Sequence, residues 1–238
     1  MIVLAIDTSH PVGSVALSVD GEVSRPITFG DGSSHLSGIG GAVEAAVAGA
    51  GVAAAGLDRI ALVHGPGSFT GLRIGMSYAK GLCAGLNAEM VVMSTLELLA
   101  LPLMRRGSTA CAMVDARKGE IYGAVYEAGG GPGANVVPAR PLAGPAATEP
   151  GTFVAEVMRF DPVYLGSGAL RYRPILESVH PGCRIGDESA AQPSSALLAE
   201  LAPALEPLSQ DELAGLEPVY LRSHDAVFKP LKVIDPDG

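Results

Sequence analysis

Two aspartates that end apolar runs, Asp7 in IVLAIDTS and Asp115 in TACAMVDAR, are the first residues whose type and setting could do chemistry. Each closes a strand-like segment and opens a turn. A pair of such carboxylates facing one another can hold a metal–phosphate complex between two lobes. Gly166-Ser167-Gly168 follows the short strand VYL and could approach a nucleoside there. Asp7, Thr8, Ser9, Asp115, Gly166, Ser167 and Gly168 thus make a candidate, vestigial nucleotide pocket; the alternative is that an Asp at a strand end simply caps its turn, its commonest role.

The stretch HGPGSFTGLRIG, from His64 to Gly75, runs a glycine-rich turn into a helix. Amide groups and the helix dipole favour an anion at such a place. A Walker A loop needs Lys after its last glycine, yet Leu72 follows Gly71; a GxGxxG fingerprint needs Gly where Thr70 stands. The competing reading is structural: Gly65, Pro66 and Gly67 make a tight turn, and Ser68 or Thr70 caps the helix.

These residues need a frame. IVLAIDTS, the alternating GSVALSV and the turn Asp20-Gly21 predict three antiparallel strands at the start of the chain. Leu36, Ile39, Val43 and Val47 have helical spacing, RIALVH reads as a buried strand, and Thr70 to Leu86 as a second helix. After the strand MVVM, Ser94-Thr95-Leu96-Glu97 opens a helix expected to stop near Gly107. At Thr109 the pattern starts again: a strand to Asp115, a turn at Lys118-Gly119 and an outgoing strand. The repeat predicts two similar lobes, 1–107 and a smaller 108–238; two coincidentally alike hairpins are the alternative. The Gly-, Pro- and Ala-rich stretch 128–151 reads as a loop, and Pro193 to Leu205 as a helix.

Composition bounds the function. With 48% hydrophobic and 17% charged residues the chain is a globular protein rather than a disordered one. A net charge of −9 with no basic cluster makes it a poor independent binder of nucleic acid. Cys83, Cys111 and Cys183 are far apart and odd in number, which argues against a disulfide framework and fits the cytoplasm. Asp7 and Glu44 interrupt the apolar stretches, so neither a signal peptide nor a membrane span is expected. The five histidines are scattered, and His35, at a helix start, is given no ligand role.

Two helices carry small residues every four positions: Ser37, Gly41, Ala45 and Gly49 in the first, Gly71, Gly75, Ala79 and Cys83 in the second. Such stripes let helix backbones approach closely, either those of another chain or the helix's own sheet.

MIVLAIDTSHPVGSVAL, HGPGSFTGLRIGMSYAKGL, MSTLELLA, MVDARKGEIYGAVYE and EPVYLR together resemble the bacterial TsaB (YeaZ) family of tRNA threonylcarbamoyladenosine biosynthesis proteins. The resemblance implies an α/β, actin-like (ASKHA, ribonuclease H-like) two-lobed fold built from a duplicated βββαβα unit, with the EPVYLR tail returning to the N-terminal lobe. It implies a non-catalytic partner of the catalytic paralogue TsaD in modifying the adenosine beside the anticodon, with the ATPase TsaE as a further partner. A homodimer is implied when the chain is alone, contact with tRNA only through the complex, and no required cofactor, with ATP or ADP binding left open. The paralogue's metal-binding HxxxH falls here on Thr95 and Leu99, neither of which can replace an imidazole. A stand-alone actin-like ATPase or kinase and a metallopeptidase are the competing readings. With the resemblance in view, the two small stripes become the expected partner interface, and GPGSFTG is expected to position an interface helix rather than hold a phosphate.

Overall fold

The computed structural model describes residues 1–30, 36–104, 108–128 and 139–222. His35 and the expected helix stop at Gly107 lie outside them, as does the side chain of Ser37. The chain begins β1 (Ile2–Asp7), β2 (Gly13–Val19), β3 (Glu22–Val23) and β4 (Ile27–Phe29), then α1 (Leu36–Gly49), β5 (Arg59–Val63), α2 (Phe69–Leu86), β6 (Glu89–Met93) and α3 (Thr95–Met104). It continues with β7 (Ala110–Arg117), β8 (Glu120–Ala128), β9 (Ala139–Thr148), α4 (Pro150–Val157), β10 (Val163–Leu165), α5 (Ser167–Arg171), α6 (Arg173–Val179) and β11 (Arg184–Ile185). It closes with α7 (Ser195–Leu201) and α8 (Gln210–Gly215).

The strands form two sheets of matching design. In the first the order is β3-β2-β1-β5-β6, with β4 also on β2; in the second it is β11-β10-β7-β8-β9. The hairpin β1–β2 is antiparallel and continues through parallel β5 and β6. Correspondingly, the hairpin β7–β8 is antiparallel and continues through parallel β10 and β11. The expected duplicated two-lobed α/β arrangement is therefore present.

Strand alternation explains the layers. On β1, Leu4 and Ile6 face a cluster with Ile39, Val43 and Val47 of α1 and Met76 of α2, whereas Val3 and Ala5 face the opposite side. On β7, Cys111 and Met113 pack with Phe153 and Val154 of α4, while Ala110, Ala112 and Val114 look inward. The inner faces of both sheets share one core with α3 and α7.

Those two helices are exchanged between lobes. α3, which ends the first half, packs on β7, β8 and β9; α7, late in the second half, packs on β2, β1 and β5. The expected helix at 193–205 exists as α7, but it covers the first sheet. A second correction concerns 128–151, expected to be a loop: Ala139–Thr148 is a strand paired with β8. Its Pro141 and Pro145 are tolerated because β9 is an edge, where missing amide donors break no ladder. No helix among the described residues is long and apolar enough to cross a membrane.

Candidate functional site

The two strand-end aspartates make the same turn. Asp7 Oδ1 accepts the Ser9 amide at 2.8 Å, and Asp115 Oδ1 accepts the Arg117 amide at 3.1 Å. Each carboxylate thus closes an Asx turn two residues on, the capping role that competes with ligand binding. Asp7 is buried. Asp115 also takes the Tyr172 hydroxyl at 3.3 Å and the Arg171 guanidinium at 3.3 Å.

A cavity of about 890 Å³ lies between the lobes, and Ser9, Asp115 and Ser167 line it. Three of the seven candidate pocket residues are thereby brought together. Asp7 and Thr8 do not line it; both are buried beneath the turn. Gly166 and Gly168 serve backbone packing instead, because a Cβ on either would stand 2.4 or 3.0 Å from the Met113 carbonyl oxygen. Thr70 of the GPGSFTG loop also lines the cavity, and so do His10, Arg117, Gln192 and Arg222, which had not been singled out. Arg222 had one signal, its place in EPVYLR; the others are ordinary turn and loop types that no spacing marks.

The GPGSFTG loop is engaged by its own protein. The Ser68 amide donates to the Ser9 carbonyl at 2.7 Å, and the Gly71 amide to Ser68 Oγ at 3.2 Å, the helix cap of the structural reading. A Cβ on Gly67 would stand 2.3 Å from the Ser9 carbonyl oxygen, one on Gly71 2.1 Å from the Thr8 carbonyl oxygen, and one on Gly75 2.1 Å from Thr8 Oγ1. These glycines let α2 lie directly on the β1–β2 turn.

That contact corrects half of the expected interface. Gly71, Gly75, Ala79 and Cys83 are all buried under α2, against its own sheet and turn, and are not available to a partner. In α1 the stripe points the other way. Gly41, Ala45 and Gly49 are exposed, and a Cβ on Gly41 or Gly49 would meet nothing within 4 Å. On α2 the outward residues include a small row of their own, Ser77, Gly81 and Gly85, with open space off both glycines, and Arg73 one turn before it. The physical reason is volume: Ile39, Val43 and Val47 claim the core side of α1, and Leu72 and Met76 that of α2.

Thr95 and Leu99 are buried at the start of α3, with Leu99 Cδ1 3.3 Å from where a Cβ on Gly166 would stand. Among the described residues, no group of three or more His, Cys, Asp or Glu is placed to hold a metal ion. Burial pushes the Cys83 thiol up to about 11 and raises that of Cys111, so neither is a thiolate near neutrality.

Burial lowers the pKa of His10, against an opposing pull from Asp7, and lowers that of His64, whose Nδ1–H donates to the Met93 carbonyl at 2.9 Å. Both rings are held neutral. Their contribution to stability is present above the unfolded value of about 6.5 and is lost as pH falls below it toward the depressed folded values. The melting temperature is expected to drop on acidification below about pH 6.5. Melting curves of His10→Asn should show a smaller drop; an unchanged pH slope in that variant would remove His10 from the account.

A family model described as TsaD, tRNA N6-adenosine threonylcarbamoyltransferase, matches residues 32–142. The chain is 38% identical over 129 residues to the tRNA threonylcarbamoyladenosine biosynthesis protein TsaB of Escherichia coli (strain K12), covering 53% of this chain and 55% of that one. It is 33% identical over 139 residues to the protein of the same description from Bacillus subtilis (strain 168), covering 58% and 60%. The match thus spans somewhat over half the length of these two relatives. To the TsaB of Haemophilus influenzae (strain ATCC 51907 / DSM 11121 / KW20 / Rd) it is 27% identical over 229 residues, 94% of each chain. Among solved structures, YeaZ from Pseudomonas aeruginosa is similar with a TM-score of 0.75 and 28% identity, covering 92% of this chain and 99% of that one.

Proposed function

We propose that this chain, which closely resembles the bacterial TsaB (YeaZ) family, is a non-catalytic partner subunit of the machinery that makes threonylcarbamoyladenosine in tRNA. On this reading residues 1–107 are the interaction lobe and 108–238 the smaller lobe, with α3 and α7 exchanged between them. The partner is the catalytic paralogue TsaD; TsaE joins the assembly, tRNA is met only through the complex, and the chain pairs with itself when alone. No cofactor is required, the cavity between the lobes is the remnant of a nucleotide pocket, and the cytoplasm is the site of action.

One observation supports the interaction role above others. The outer face of the first lobe carries a stripe of small residues on each of two helices, Gly41, Ala45 and Gly49 beside Ser77, Gly81 and Gly85, with Glu44 and Arg73 exposed at its margins. A helix from another chain can come close there without displacing side chains. Ser37, one turn before Gly41, continues the α1 stripe in sequence.

Ala45→Arg is the direct test. The side chain is exposed, so the variant should melt like the parent, while a bulky charge in the contact should weaken binding to TsaD by roughly a hundredfold. Threonylcarbamoyl transfer to tRNA by the reconstituted proteins should fall with it. Full binding and full transfer by Ala45→Arg would move the interface elsewhere, and transfer by this chain without TsaD would overturn the non-catalytic reading.

A further inference from the structure

After α8 the chain does not simply trail away. Lys80 Nζ on α2 donates to the carbonyls of Ala214 and Leu216, at 3.2 and 2.9 Å, and so anchors the end of α8 on the first lobe. The Val219 amide then donates to the His64 carbonyl at 2.9 Å. The approach is so close that a Cβ on Gly65 would lie 2.9 Å from the Val219 carbonyl oxygen, and Gly65 has a φ of +118°. Tyr220 packs beside Phe69 with ring centroids 5.2 Å apart, and its hydroxyl accepts from Arg73 Nε at 2.9 Å. Arg73 in turn lies 3.9 Å over the Phe69 ring. All these partners belong to the first lobe.

Two residues later the chain has crossed. The Arg222 guanidinium pairs with the Glu120 carboxylate and donates to the Arg117 carbonyl, both on the β7–β8 hairpin of the second lobe. Leu221 packs into the core shared by the two sheets. Arg222 also lines the interlobe cavity.

We infer that Glu217–Arg222 is a strap that holds the two lobes in their closed relation, with Val219 and Tyr220 as its fixed end and Arg222 as its releasable end. The asymmetry follows from the chemistry. The fixed end has a backbone hydrogen bond, an aromatic contact and a cation over a ring. At the far end Leu221 stays in the shared core, and Arg222 beyond it rests on an ion pair whose side chains are 29% and 38% exposed, which is weak, screened by salt and easily exchanged for another partner. A contact on the β7–β8 hairpin that competes for Arg222 would therefore loosen the lobes without unfolding either. The inference does not depend on the proposed role in tRNA modification.

The test uses the full chain with nitroxide labels on Glu22→Cys in the first lobe and Glu156→Cys in the second, both exposed, in a Cys183→Ser background. Distances between labels are compared for the parent, Arg222→Glu, and Arg222→Glu combined with Glu120→Arg. The single reversal should lengthen and broaden the interlobe distance, while exchange of the Val219 amide at the fixed end stays within about twofold of the parent. The double reversal should restore the parent distance. Unchanged distances in Arg222→Glu, with the variant folded by circular dichroism, would overturn the strap. Failure of the double reversal to restore a lengthened distance would overturn the role of the Arg222–Glu120 pair.

Discussion

Alanine at position 71 is expected to destabilise the protein by about 3 kcal/mol or more, against the usual gain from replacing a helical glycine. In an open helix interior Gly→Ala helps by up to about 1 kcal/mol. Here the new methyl would stand 2.1 Å from the Thr8 carbonyl oxygen, with Ser68 Oγ, the cap of α2, 3.1 Å away. A backbone carbonyl in a buried turn cannot swing aside as a side chain can. Either α2 lifts from the β1–β2 turn or the turn deforms, and both disturb the cavity wall at Ser9. Since about 1 kcal/mol moves the midpoint of a domain this size by 2–4 °C, thermal unfolding should show a fall of roughly 6–12 °C or more.

Two companions isolate the cause. Gly75→Ala meets Thr8 Oγ1 at 2.1 Å, a side-chain clash, so removing the offending group with Thr8→Ala should recover much of the loss in a double-mutant cycle. Gly71→Ala should gain nothing from Thr8→Ala, because its obstacle is main chain. Gly41→Ala, with nothing within 4 Å, should be neutral or stabilising by up to about 1 kcal/mol. Equal effects at positions 41 and 71 would mean that α2 does not lie on the turn as described.

The contrast between those glycines marks what the sequence can and cannot convey. The hairpins around Asp7 and Asp115 were legible because strand alternation, Asp20-Gly21 and Lys118-Gly119 are local signals. The shared Asx turn then made the duplication visible atom by atom. The direction of the α2 stripe was not legible. Gly71, Gly75, Ala79 and Cys83 alternate around the helix with Ser77, Gly81 and Gly85, so small residues occupy both faces and periodicity has little to discriminate. On α1 the bulky Ile39, Val43 and Val47 left Gly41 and Ala45 only one way to face. Likewise, β9 was hidden by Pro141 and Pro145, which look like loop until an edge position excuses them. The landing of α7 on the first sheet depends on contacts across more than a hundred residues, for which no local pattern exists. Of the pocket, only Ser9, Asp115 and Ser167 were both anticipated and placed on the cavity.

Beside the apolar core that takes in Leu198, Ala199 and Leu201, one polar side chain fixes that long-range landing, and its removal is the second large effect expected. Arg59 begins β5 and is 8% exposed. Its Nη1 donates to the carbonyls of Ala202, Pro203 and Leu205 at 2.7, 3.3 and 3.0 Å, while Nε and Nη2 reach Glu89 Oε2 at 3.0 and 2.5 Å. The three carbonyls lie in and just beyond the turn that follows α7, where the end of a helix favours a cation; the Ala202 carbonyl also accepts the Leu205 amide at 3.2 Å. Arg59→Met fills similar volume but leaves the Pro203 and Leu205 carbonyls to water that reaches them poorly, and should cost about 3 kcal/mol. Arg59→Lys can serve one carbonyl at a time and should lose roughly half as much. The ion pair is the lesser part, since the Glu89 side chain is 54% exposed and rehydrates when released. The destabilisation in Arg59→Met should accordingly persist in 0.5 M salt, about three times the physiological ionic strength, where an exposed pair is largely screened. A loss that vanished in salt, or that Glu89→Gln reproduced in full, would assign the effect to the pair and leave the docking of α7 to apolar contact alone.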